Sequence, residues 1–320
     1  MIVFDKVNPN LEKMSNYFVE KTKVFFNADG SFNMSYFEDT KCYYCGSGEF
    51  VNEFSDKYNF RYVRCDACGM AYANPRLKKD IAHDLYSEDD YAQSYKIKLI
   101  PSIGYRRDVL GVNKYKQVIN LLGKEKGKVL DIGCGLGELL SVFKENNWET
   151  LGIEFNPFAS GFAKEKFGLN VVNQSIYDFN EKDKFDVIMM WGVMEHFYSP
   201  LTILDKCRSL LSENSLLVIE VPSADSFLVR YAEATGKKVD RIIEGDRHLM
   251  LFSVRSFTGM LEKCGFARKK LLSNGLDIAT LNRLFFSKGL SDDAVNLIQN
   301  ALDESLQGDL LRGFFIKKED

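Results

Sequence analysis

The chain has 320 residues, 45% of them hydrophobic and 27% charged, with a formal net charge of −3 and a pI near 5.8. That length suits one domain of ordinary size plus an appendage, and the composition is that of a water-soluble globular protein. The slight acidity argues against a general affinity for nucleic acid or anionic membrane, and the longest apolar runs, such as 187–194, are too short to span a bilayer.

The first residues, Met1-Ile2-Val3-Phe4-Asp5, have neither the basic start nor the sustained apolar run of a secretory leader, so a cytoplasmic protein is expected. Seven cysteines, an odd number with four of them clustered, argue against a disulfide framework and agree with a reducing compartment. Within an N-terminal extension over 1–39, Leu11, Met14 and Phe18 after Asn8-Pro9 predict a short helix. Phe25 to Phe32 reads as a hairpin turning at Asp29-Gly30. So many aromatic side chains need a surface to pack on, the body of the protein or a second subunit (which would make a homodimer), in preference to serving as a substrate lid.

Residues 40–76 carry two C-x-x-C-G turns, Cys42-Tyr43-Tyr44-Cys45-Gly46 and Cys65-Asp66-Ala67-Cys68-Gly69, separated by 19 residues. Each turn brings two thiolates together, and its glycine permits the backbone conformation that aims amides at sulfur. Two such turns close a tetrahedral site for Zn2+ with Cys42, Cys45, Cys65 and Cys68 as ligands. Four thiolates leave no open position, so the ion is expected to be structural. The intervening alternation at Phe50-Val51 and Phe60 to Arg64 predicts ribbon strands. Residues 38–76 hold six acidic against five basic side chains; that is no basic patch, so nucleic acid is not the expected partner. Residues 77–125 read as a helical connector. Tyr86, Tyr91 and Tyr95 are candidates for an aromatic lid, and Val109, Leu110, Tyr115, Val118 and Leu122 fit a helix lying on a sheet.

The organising stretch is Val129-Leu130-Asp131-Ile132-Gly133-Cys134-Gly135-Leu136-Gly137-Glu138. It predicts a buried strand, a glycine turn and a helix whose N–H groups face a ligand. The spacing is G-x-G-x-G, and Asp131 stands two positions before the first glycine. A carboxylate there repels a pyrophosphate and attracts a sulfonium or an α-amino group. The next apolar run, 150–153, ends in Glu154, placed to accept two ribose hydroxyls. Asn156-Pro157 then starts a helix. Asp178 falls in a loop after a short strand at Val171-Val172, and Phe185 to Trp191 predicts a central strand followed by Gly192-Val193-Met194-Glu195-His196.

In these positions the chain resembles the class I S-adenosylmethionine-dependent methyltransferases. The resemblance implies an α/β Rossmann-like sheet over 126–320, mostly parallel with an antiparallel seventh strand at 311–316, carrying an N-terminal zinc ribbon. It also implies a donor site at Asp131, Gly133, Gly135, Gly137, Glu154, Phe155, Asp178, Phe179, Trp191 and Gly192, with the acidic position at 178 receiving the adenine amino group. The ribbon and the run Met70 to Arg76 look like bacterial zinc-ribbon methyltransferases of surface-polysaccharide and natural-product pathways. The deoxysugar C-methyltransferases of that kind carry a further C-terminal domain for which this chain is too short.

Ser199-Pro200 offers an N-cap and first-turn proline, and 215–221 a fifth strand. The insertion over 224–247 follows that strand's carboxyl end, where it faces the ligand crevice. His248 opens a segment resembling the family's His-x-x-x-Phe-Ser, and strand six is expected near 266–272. His196 and His248 lie just past strand ends and are the candidate catalytic groups, either of which can serve structurally instead. The expected function is methyl transfer to a small molecule, by preference O-methylation of a sugar or sugar nucleotide. An RNA acceptor and C-methylation of a deoxysugar nucleotide are the alternatives. The D/N-P-P-Y/F tetrapeptide of many amino-nitrogen methyltransferases is missing, with Trp191-Gly192-Val193-Met194 in its place.

Overall fold

The computed structural model describes residues 4–7, 9–87, 89–286 and 289–318; the side chains at 11, 12, 14–16 and 85–91, including those of Leu11, Met14, Tyr86 and Tyr91, lie outside that description. The N-terminal strands are β1 (Phe37–Glu38), β2 (Phe50–Ser55), β3 (Arg61–Cys65), β4 (Ala71–Ala73) and β5 (Arg76–Leu77). Then come β6 (Lys128–Ile132), β7 (Glu149–Ile153), β8 (Val171–Val172), β9 (Phe185–Trp191), β10 (Leu211–Pro222), β11 (Met250–Leu251), β12 (Phe266–Asn274) and β13 (Leu310–Lys317).

Seven of these form one sheet in the order β12-β13-β10-β9-β6-β7-β8. β6 to β10 run parallel to one another, and β13 lies antiparallel between β10 and β12. The central strands are apolar on both faces because helices cover both: Val129, Leu130, Val187, Ile188, Met189 and Met190 are all buried. The chain order reverses between β6 and β9, which opens a crevice at the carboxyl ends of those strands. This is the class I methyltransferase fold.

Helix Glu138–Glu145 buries Leu139, Leu140 and Phe143, the face that the spacing predicted. Helix Pro157–Phe167 is capped by Asn156, whose side chain accepts from Ala159 N–H at 3.1 Å. Helix Pro200–Leu210 starts as expected, but Ser199 makes no side-chain cap. Its backbone, at φ −135° and ψ 68°, does not aim the hydroxyl at the first turn.

The ribbon does not stand alone. β2, β3 and β4 form an antiparallel sheet whose fourth strand is β11, from far along the chain. The N-terminal aromatics pack on the body: Phe18, Phe25, Phe37, Tyr58 and Phe60 share one cluster with Leu77 and Ala82. The hairpin is present, with Phe26 opposite Phe32 and Asn27 N–H bonded to Ser31 O at 2.8 Å. A helical run from Asp89 to Leu122 widens into π turns at Tyr95–Leu99 and Arg106–Gly111, and such widenings often mark functional positions.

Where β10 meets β13, Glu220 pairs with Arg312 (Nε 2.8 Å) and with Lys114 (3.1 Å). Burial by itself would raise the Glu220 pKa, but the two cations outweigh it and hold it near 2, below the ordinary 4.5. The pair therefore stabilises the fold above pH 4.5 and loses that contribution as pH falls through about 2. Glu220→Gln should cost roughly 3–5 kcal/mol in urea unfolding at pH 7. The gap from wild type should close on acidification.

Candidate active site

Two cavities meet at the crevice. The first, of about 250 Å3, is lined by Ile132, Gly133, Glu154, Phe155 and the segment 174–177. The glycine turn contributes Gly133 to its wall. Gly137 packs inward, since a Cβ there would stand 2.5 Å from Leu169 Cδ1. Gly135 instead faces open space, where a Cβ would meet only Tyr95 Cε1 at 3.9 Å; neither Gly135 nor Gly137 is among the residues lining the cavity. Glu154 ties the turn down: one carboxylate oxygen accepts Gly135 N–H and the other Asn156 N–H, each at 2.8 Å. Burial raises the pKa of Glu154 against those amide donors, and burial raises Asp131 well above the ordinary range, with Glu138 adding to it. Buried carboxylates in this state are stabilised by a cationic ligand.

The structure divides the residues expected at this site. Gly133, Glu154, Phe155 and Gly192 line the cavity; Asp131 immediately precedes the wall formed by Ile132 and Gly133. Asp178 is exposed and Phe179 is buried in the core, and neither is among the lining residues; Gln174 to Tyr177 occupy that wall. Trp191 turns to the second cavity, with Lys114 Nζ 4.0 Å and Arg312 Cζ 5.0 Å from its ring centroid. Tyr95, one of the three tyrosines expected over the ligand, lines this cavity. Lys79, His83 and Tyr198 also line the first cavity, His83 edge-on to Phe155 at 4.7 Å. No motif in the sequence marks these three; a helix and a loop from outside the glycine region deliver them.

The second cavity is larger, about 530 Å3, and polar. Residues 240–242, 244 and 247 from the insertion form one side of it, and Lys98 and Arg106 from the π turns another. Gly192 and His196 line both cavities. At this shared rim His196 Nδ1 lies 2.9 Å from Arg247 O, and His248 Nδ1 lies 2.7 Å from Ile242 O. A carbonyl only accepts, so each Nδ1 carries the proton and each Nε2 keeps its lone pair. Burial first, then each other's proximity, lowers His196 to about 3; burial lowers His248 as well, although Glu244 pulls the other way. Both imidazoles are thus neutral near pH 7. Glu195, 2% exposed, has one carboxylate oxygen 3.9 Å from His248 Nε2 and the other without a partner. Burial raises its pKa to about 8.

A family model described as a methyltransferase domain matches residues 105–270, just over half of the chain. The chain belongs to that methyltransferase family. Its glycine turn and most of the first cavity's lining fall inside the matched region, with the aromatic extension, the four cysteines and Lys79, His83 and Tyr95 outside it. The chain is 26% identical over 125 residues to the ubiquinone biosynthesis O-methyltransferase of Bradyrhizobium diazoefficiens, covering 37% of this chain and 48% of that protein. With the protein of the same name from Histophilus somni it shares 36% over 107 residues, 30% of this chain and 44% of that one. The methyltransferase thus spans about half the length of these curated relatives. Its fold matches that of 1,6-didemethyltoxoflavin-N1-methyltransferase from Burkholderia thailandensis, with a TM-score of 0.51, 14% identity, 84% of this chain and 100% of that chain.

The four ribbon cysteines come together with all sulfurs within 4.8 Å of one another. Cys42 and Cys68 Sγ are 3.4 Å apart, as are Cys45 and Cys65, and all four are free thiols. Those separations are far beyond a disulfide and fit thiolates around one ion, so the residues suit structural zinc. The ribbon reaches the second cavity directly: Tyr62 O–H donates to His248 O at 2.5 Å, and Asp56 accepts Gly245 N–H at 2.8 Å. Arg64 binds Glu233 through Nε at 2.8 Å and Ala224 O through an Nη at 2.9 Å. Arg76 is held by Glu38 and Tyr43, and Arg61 by Asn74 O.

Proposed function

We propose that this methyltransferase moves the methyl group of S-adenosylmethionine to a hydroxyl oxygen of a polar, negatively charged small molecule, a sugar nucleotide or a related anionic sugar. The observation that carries this reading is the shared rim: Gly192 and His196 belong to both cavities, so a donor in one meets an acceptor in the other. Methyl transfer is an in-line displacement. The acceptor oxygen attacks the methyl carbon, the C–S bond breaks with its electron pair passing to sulfur, and the hydroxyl proton passes to a neutral imidazole at the rim. The donor is already activated, so much of the catalysis is positioning; Glu195, His196 and His248 make the oxygen nucleophilic. Oxygen is favoured as the accepting atom because the relatives at 26% and 36% identity are named O-methyltransferases.

An anionic acceptor is favoured by Lys98 and Arg106. Both line the second cavity, and among the described residues neither forms an ion pair. Burial lowers Lys98 to about 8, a cost that a phosphate or carboxylate would offset. An RNA acceptor gains no support from the ribbon, whose Arg61, Arg64 and Arg76 are engaged within the protein.

Calorimetry should detect S-adenosylmethionine, and Gly135→Val should abolish that binding, because its side chain would enter the open space over the turn and its β-branch strains a position held at φ +56°. Mass spectrometry should then find one added methyl on a hydroxyl of an anionic sugar. Donor binding undisturbed by Gly135→Val, or methyl gained only on amines, would defeat the proposal.

A further inference from the structure

We infer that Glu195, His196 and His248 form a second metal centre, a site for one divalent first-row cation that holds the acceptor oxygen at the rim. The inference rests on the O-methyl reading above and adds to it a cofactor. One ligand atom from each of the three residues lies within 4.8 Å of the others. The edge between His248 Nε2 and Glu195 Oε1 is 3.9 Å; ligands at ~2.0–2.2 Å from a common ion stand roughly 3.0–3.5 Å apart, so seating one closes that edge by less than about 1 Å.

Two independent features point to an ion. Each imidazole is locked by a backbone carbonyl at Nδ1, Arg247 O for His196 and Ile242 O for His248. That is the outer contact by which proteins fix the tautomer of a metal-ligating histidine. Glu195 is 2% exposed, lines the polar cavity, and leaves Oε2 without a hydrogen bond. A buried carboxylate oxygen with no partner is costly, and a cation beside it removes the cost. Two imidazoles and one carboxylate suit zinc, cobalt, nickel or iron(II), and leave coordination positions open to the cavity.

The site's position gives the ion a task. An acceptor hydroxyl bound to it becomes more acidic, so its proton passes to water on binding. The oxygen lone pair then forms the O–CH3 bond as the C–S bond breaks and its pair returns to sulfur. In this arrangement His196 and His248 are ligands, the ion acts as a Lewis acid, and water takes the proton.

The test uses the full chain with its ribbon filled by zinc, one equivalent verified by elemental analysis, and Co2+ as the probe. One further equivalent should bind and give visible cobalt bands without sulfur-to-cobalt charge transfer, which separates it from replacement of the ribbon ion. Glu195→Gln and His248→Ala should each weaken Co2+ binding by more than the roughly 10–100-fold that loss of an outer partner costs, with S-adenosylmethionine affinity kept as evidence of folding. Should either variant fail to fold, Cu2+ in wild-type protein decides by electron spin echo: coupling to two imidazoles is expected. Zinc-loaded wild type that takes up no Co2+, binding that survives both substitutions, or Cu2+ without imidazole coupling would overturn the inference. Co2+ bound as described, in a protein that methylates no hydroxyl, would instead defeat the O-methyl reading and leave the metal centre standing.

Discussion

Replacing His248 with alanine should lower turnover roughly 10²–10⁴-fold, the range that loss of a group handling the acceptor proton produces, and leave the dissociation constant of S-adenosylmethionine nearly unchanged. The split follows from where the residue sits. His248 lines the polar cavity and is absent from the wall of the donor cavity. Its backbone carbonyl, which receives the Tyr62 hydroxyl, survives the substitution, so the ribbon contact is kept. His196→Ala provides the contrast: it lines both cavities, and its loss should weaken donor binding as well as turnover. Steady-state kinetics with the true acceptor, beside donor calorimetry, separates the two. Unchanged turnover in His248→Ala would remove that residue from the chemistry, whether as base or as ligand.

The parts of the fold that could be read from the sequence are those whose signals are contiguous. The turn at Gly133 to Gly137 is a local backbone requirement, and the apolar face of 138–145 follows from helical spacing. The two C-x-x-C-G turns announce their own geometry, and their sulfurs do converge. The remainder is assembled across the chain. Lys98 and Arg106 reach the acceptor side because two π turns rotate the helical run they sit on, which a period of 3.6 residues does not anticipate. No sequence motif marks His83, yet it stands against Phe155. The wall of the first cavity beyond β8 falls at 174–177 and leaves Asp178 exposed, because the short turn after β8 carries the chain into the cavity before that position. Trp191 ends a strand beside Gly192, but Lys114 and Arg312 hold its ring on the acceptor side. Nothing in the alternation of residues 50–73 tells that β11, two hundred residues on, completes the ribbon sheet.

Withdrawal of the ribbon ion should therefore damage the acceptor side of the enzyme far more than the donor side. Structural zinc in small modules contributes about 10–16 kcal/mol to folding, so zinc-free protein, or a Cys65→Ser/Cys68→Ser variant, should lose order over 40–76. Three side chains carry that loss to the cavity: Tyr62 to His248 O, Asp56 to Gly245 N–H, and Arg64 to Glu233 and Ala224 O. β11 loses the partner strand that holds Met250 and Leu251. The walls of the donor cavity formed by the glycine turn and Glu154 belong to β6, β7 and their loops, which pair with one another and with β9. Hydrogen exchange should accordingly rise over 50–73 and 240–251 and stay low over 128–153, with acceptor KM raised and S-adenosylmethionine still bound. Equal loss of protection at both sides of the crevice would mean that the ribbon supports the whole fold and has no selective hold on the acceptor pocket.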